Sequence, residues 1–104
     1  MSKGMGNLMK QAMQMQAKIT TLQKELETRE LETSIGGGAV KIRINGKQEI
    51  LQLTISPDAV NPSDIETLQE LLKTGINQAV KESQTMVSSA MSKVTGGLNI
   101  PGLF

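Results

Sequence analysis

No cysteine, histidine, tryptophan or tyrosine occurs in these 104 residues, and the one phenylalanine is the last residue, Phe104. The missing cysteine excludes disulfides and thiolate metal sites and fits a reducing compartment. Without histidine or cysteine the chain lacks the usual general base near neutral pH, the thiol nucleophile and the common zinc ligands. With a single phenylalanine, at its last residue, it has no platform on which successive unpaired bases could stack. No apolar run reaches the roughly 18 residues of a membrane span. The N-terminus also lacks the apolar block of a signal peptide. These absences lead to the expectation of a soluble, cytoplasmic, non-catalytic protein with no cofactor, metal, membrane or small-molecule partner.

What is present is a segregated charge. Residues 1–24 contain Lys3, Lys10, Lys18 and Lys24 and no acid. Residues 25–32 are acidic through Glu25, Glu27, Glu30 and Glu32 against Arg29, and residues 58–70 carry Asp58, Asp64, Glu66 and Glu70 with no base. Beyond residue 70 only Glu82 offsets Lys73, Lys81 and Lys93. A formal net charge of +1 averages over two basic arms and an acidic middle.

The length fits one domain, which buries only about two thirds of its unfolded surface and is marginal without oligomerisation. Residues 7–28 read as a first helix with Asn7 as N-cap. Its stripe Leu8, Ala12, Met15, Ile19, Leu22, Leu26 alternates steps of four and three and favours a helical seam. Residues 30–56 then change to period two. Leu31, Thr33 and Ile35 lead to Gly36-Gly37-Gly38. Val40, Ile42 and Ile44 lead to Asn45-Gly46, a strong hairpin signal, and Leu51, Leu53 and Ile55 end at Ser56-Pro57. Across a two- or four-residue turn the last two triplets share a face, giving a three-stranded antiparallel meander with both strands facing the core. Ser63 and Glu66 form a capping-box pattern for a final helix over residues 63–95, with a bend at Gly75. Residues 96–104 read as a mobile tail.

Three strands cover only about 14 Å by about 20 Å, whereas the two helices would be roughly 33 and 46 Å long. Both helices must project, so the spacing predicts an obligate homodimer whose seam uses Leu8, Ala12, Met15, Ile19 and Leu22. Met5, Met9 and Met13 cannot all lie on that stripe; they either widen the dimer contact or offer a pliable surface to a partner. The carboxylates around Asp64 read as a solvated, capped helix start. The triple glycine joins strand to strand and lacks the Gly-Lys-Ser/Thr of a phosphate loop.

The basic groups are the candidates for function. Lys3, Lys10 and Lys24 share one heptad position opposite the seam, flanked by Gln14, with Lys18 on the same acid-free segment. On the last helix Lys73, Asn77, Lys81, Gln84 and Ser88 lie on one polar flank. Lysines and amides contact phosphate and sugar without reading sequence. The competing reading is that lysine simply solvates a helix face.

Several stretches together resemble the YbaB/EbfC family of bacterial nucleoid-associated proteins. They are Gly6 to Ala12 with Met15-Gln16, Val40 to Gly46, Ile55-Ser56-Pro57, Asn61 to Leu68, Asn77-Gln78-Ala79 and Gly96 to Phe104. The match is collinear over nearly the whole chain. The resemblance implies an α+β fold, a two-layer α-β-β-β-α arrangement in a tight dimer whose long terminal helices protrude and bind DNA. It also implies a cytoplasmic, nucleoid-associated protein without enzymatic activity. Departures are the glutamines Gln11, Gln14, Gln16 and Gln23 on a first helix that is often more basic, and Asn61 where an acid is common. The function expected is double-stranded DNA binding by a homodimer through Lys3, Lys10, Gln14, Lys18, Lys24, Lys73 and Lys81. The alternative is a protein–protein interaction module acting in replication or repair.

Overall fold

Glycine, asparagine and serine fix how the strands and helices of this chain meet. The computed structural model describes residues 2–95, so the tail 96–104 lies outside the described residues. The elements are α1 (Ser2–Thr28), β1 (Glu30–Ile35), β2 (Val40–Asn45), β3 (Ile50–Ile55) and α2 (Ile65–Thr95), an α+β arrangement with sheet order β1-β2-β3.

Both strand pairs are antiparallel. Gly36, Gly37 and Gly38 all have positive φ (62°, 66° and 93°), which a side chain would oppose at each position. They turn the chain so that Ile35 faces Val40 across the first hairpin. The second hairpin differs from the expectation in its detail. Gln48 N donates to Asn45 O at 3.1 Å, and Gln48, not a glycine, adopts the left-handed conformation at φ 60°. The Asn45 side-chain oxygen accepts from the backbone N–H groups of Lys47 (2.9 Å) and Glu49 (3.1 Å), which nucleates the turn. Gly46 serves a different purpose. A Cβ there would overlap the Leu26 carbonyl oxygen and lie 2.7 Å from its carbon, so glycine lets the end of α1 rest on the turn.

The sheet has one packed and one solvated face. Val40, Ile42 and Ile44 are fully buried beneath α2, whereas Lys41 and Arg43 point outward, Arg43 Nε meeting Glu30 Oε1 at 3.1 Å. The helix approaches closely at Gly75, where a Cβ would lie 2.7 Å from Ile35 Cδ1 and 3.1 Å from Ile42 Cδ1. Gly75 lies inside the single helix α2, and its missing side chain is what admits the sheet. Two polar links, one buried and one part-buried, tie α2 down. Ser83 Oγ donates to Asn45 O at 2.6 Å and accepts from Gln48 Nε2 at 3.1 Å, while Thr33 Oγ1 donates to Glu82 Oε2 at 2.5 Å.

Three further boundaries differ from the sequence reading. Helix α1 starts at Ser2, so Asn7 is interior and not its cap. Gly4 and Gly6 are carried along because extending an existing helix is far easier than starting one. Helix α2 starts at Ile65, and the Ser63–Glu66 box is replaced by Asp64, whose carboxylate accepts from Thr67 N (3.3 Å) and Thr67 Oγ1 (2.6 Å). In β3, Ile42 faces Leu53 and Val40 faces Ile55 as the alternation predicts, but a bulge brings Ile50, not Leu51, opposite Ile44. Leu51 and Leu53 are not core residues. They remain 46% and 44% exposed, because α2 lies across β1 and β2 and leaves β3 to one side.

Hydrogen bonds from Thr33 and then Gln78 hold the Glu82 carboxyl below its ordinary value of about 4.5. A depressed carboxylate stabilises the fold at pH above that ordinary value, and the contribution is lost as pH falls through the lower folded value. The stability gap between the wild type and Glu82→Gln should therefore be present at pH 6. It should close progressively below pH 4.5 in urea melts. A gap that widened on acidification would contradict this.

Candidate nucleic-acid interface

The two helices leave the sheet together and then part. Leu26, 1% exposed, sits by the β2–β3 turn, which also receives Ser83. Further out, Ala17, Lys18, Thr21, Leu22 and Glu25 of α1 line a groove with Val94 of α2. The helices are thus antiparallel, and the N-terminal part of α1 runs past the last described turn of α2. Thirteen or so residues at 1.5 Å each make that projection about 20 Å. It contributes to a long axis of 76 Å in a molecule only 24 by 16 Å across.

The projecting arm determines what its side chains can meet. Met5, Leu8, Met9 and Met13 are 65–69% exposed, and Ala12 is exposed. Met15, Ile19 and Leu22 are half-buried, and only Leu26 reaches the core. The stripe read from the sequence is therefore split. Its C-terminal end is used within the chain, and its N-terminal half is uncovered.

Lys10, Gln14 and Lys24 lie on the exposed surface of α1, and Lys18 borders the groove facing α2. The backbone of Lys3 lies in the first turn of α1. Lys73 and Lys81 are exposed on the part of α2 that crosses the sheet, away from the arm. The chain by itself therefore does not gather these lysines at one place. Among the described residues the ion pairs are Arg43–Glu30 and Lys47–Glu27, so Lys10, Lys18, Lys24, Lys73 and Lys81 have no carboxylate partner. Their charge is available to an outside anion.

The opposite end of the sheet is acidic. Asp64, Glu66 and Glu70 surround a groove floored by Ile35, Gly36 and Leu71. Hydrogen bonds from the Thr67 side chain and backbone depress the Asp64 pKa, keeping it charged. Among the described residues no group of three carboxylates comes together as a metal site, and no helix is long and apolar enough to cross a membrane.

Sequence reasoning missed a second uncovered apolar region: Ile50, Leu51 and Leu53 of β3, with Val60 and Ile65, are 42–49% exposed. Their alternation reads the same for a covered or an uncovered strand, so no local signal could have found it.

The chain is similar to known bacterial proteins over nearly its whole length. A nucleoid-associated protein of Desulforamulus reducens is 52% identical over 104 residues, spanning all of this chain and 99% of that protein. One from Clostridium novyi is 50% identical over 98 residues, 94% of this chain and 86% of its own length. The crystal structure of the uncharacterized protein HP0035 from Helicobacter pylori shares the fold, with a TM-score of 0.63 at 22% identity over 74% of this chain and 89% of that one. The sequence profile of the YbaB/EbfC DNA-binding family matches residues 1–98, and the chain belongs to that family.

Proposed function

We propose that the protein is a non-catalytic homodimer that holds double-stranded DNA through its phosphates and resides on the nucleoid in the cytoplasm. The observation that carries this reading is the acid-free stretch of α1 up to Lys24, with Lys10 and Lys24 exposed and unpaired and its N-terminal part projecting about 20 Å from the fold. Membership of a DNA-binding family and relatives named as nucleoid-associated support it. Lysine ammonium groups bind phosphate by charge and displace counterions, which requires no base-reading motif. If a dimer engages about six phosphates, log K should fall with log salt at a slope near −5 in a duplex titration. A salt-insensitive affinity would overturn the reading.

The homodimer is supported by apolar surface that one chain cannot cover: the N-terminal half of the α1 stripe and the β3 face. We place Leu8, Ala12, Met15, Ile19 and Leu22 in the contact, together with Leu53 and its neighbours. Leu53→Glu should put an unpaired charge into that contact, reducing the solution mass toward that of one chain and lowering the melting temperature through lost association. Gln52→Glu, on the solvated face, serves as control. Equal masses for the two variants would remove β3 from the interface.

The exposed Met5, Leu8, Met9 and Met13 favour a second reading, an adaptor that binds a protein partner. That reading also rests on the apolar residues of the stretch 96–104, so deleting it separates the two: an adaptor loses its partner, while the salt-dependent DNA binding survives.

A further inference from the structure

The chain contains no cysteine, tryptophan, tyrosine or histidine, so methionine is its only readily oxidised side chain. Three of its seven methionines, Met5, Met9 and Met13, follow one another at four-residue steps on the projecting part of α1 and are 69%, 65% and 68% exposed. Met15, Met86 and Met91 are half-buried. At 100° per residue Met5 borders the Leu8–Leu22 stripe at about 60° from its centre, while Met9 and Met13, at about 100° and about 140°, lie outside a two-helix seam. That displacement carries them toward the lysine side. Met13 follows Lys10 by three residues, so the two side chains are neighbours on the helix surface.

We propose that Met5, Met9 and Met13 form a methionine-oxidation site through which peroxide weakens the hold of the arm on DNA. In the reaction hydrogen peroxide transfers one oxygen to the thioether sulfur. The O–O bond breaks, the sulfur is oxidised by two electrons and the peroxide is reduced to water. The product replaces a soft apolar group with a polar S=O acceptor. At Met13, one helical turn from Lys10, that oxygen competes with phosphate for one of the three ammonium donors while the lysine keeps its charge. Along the row, three sulfoxides turn an apolar flank into a polar one. Reduction of the sulfoxides by a methionine sulfoxide reductase restores the thioethers, so the change is reversible.

The consequence for DNA rests on the function proposed above, and the experiment separates the two. The full-length protein is treated with hydrogen peroxide and each methionine is followed by peptide mass spectrometry. Duplex affinity is measured before and after treatment. Met5, Met9 and Met13 should oxidise at least about fivefold faster than Met86 and Met91, following their exposure. Affinity should fall measurably, between about twofold and about tenfold at 0.1 M salt, because the Lys10 charge remains and the worth of one whole phosphate contact is the ceiling. The triple variant Met5→Leu, Met9→Leu, Met13→Leu keeps side-chain volume and helix propensity, and should bind as the wild type does and keep its affinity after peroxide. Uniform oxidation of all methionines, or equal loss of affinity in wild type and variant, would overturn the proposal. A wild type that fails to bind duplex before peroxide is added removes the DNA reading itself, and the consequence with it.

Discussion

Gly46→Ala is expected to unseat α1 from the β2–β3 turn and to destabilise the fold by about 3 kcal/mol, at the upper end of overpacking costs. For a domain of this size that corresponds to a fall of roughly 10–20 °C in melting temperature. The reason is that the obstructed atoms are backbone. The added Cβ overlaps the carbonyl oxygen of Leu26, and neither the turn nor the helix can yield by rotating a side chain. Relief requires either the hairpin or the last turn of α1 to shift. Both are anchored: Leu26 is buried, and the Asn45 carbonyl accepts the buried Ser83 hydroxyl. Gly6→Ala provides the contrast. Nothing lies within 4 Å of the new Cβ on the exposed helix, so the same change should stabilise α1 by up to about 1 kcal/mol. Thermal melts of both variants at equal protein concentration test the pair. A Gly46→Ala protein melting with the wild type would show that the helix end does not rest on the turn.

Lys10→Ala combined with Lys24→Ala is expected to remove most of the electrostatic hold on duplex DNA. In a homodimer the pair of substitutions deletes four positive charges. At about 0.9 unit per phosphate, a salt slope near −5 should flatten to about −2, and affinity at 0.1 M salt should drop roughly 10³-fold. The loss should be the same on unrelated sequences, because phosphate contacts carry no base information. Both lysines are exposed and outside any ion pair, so stability should change little. A retained slope with both lysines gone would move the binding surface elsewhere, first to Lys73 and Lys81 on α2.

Much of the architecture was readable because it depends on local patterns. The switch from a 3.5-residue to a two-residue period at Leu31, the triple glycine, and the alternation of Val40, Ile42 and Ile44 each have one economical backbone solution. The acid-free lysines were equally plain, since charge composition needs no coordinates. Other features were misread for a common reason, that one residue type can serve two purposes. Asn45-Gly46 announced a hairpin correctly, yet glycine is there for the approach of Leu26, and the left-handed residue is Gln48. Gly75 suggested a bend by its low helix propensity, and it also admits Ile35 and Ile42, which the pattern did not show. Ser63 and Asp64 are both good caps, and the carboxylate of Asp64 caps α2 through Thr67.

Local pattern alone was enough for the element types, for the face that Val40, Ile42 and Ile44 share, and for the acid-free charge of residues 1–24, because periodicity and charge are local properties. Which apolar residues are covered depends instead on packing between elements distant in the chain. Residues such as Leu26 and Leu8 occupy the same stripe, and Ile42 and Leu53 face each other across two strands, yet one of each pair is buried and the other is not. The difference lies in where α2 crosses the sheet and how far α1 outruns it. Both follow from helix length and from the close contacts at Gly46 and Gly75, which bring together residues distant in the chain.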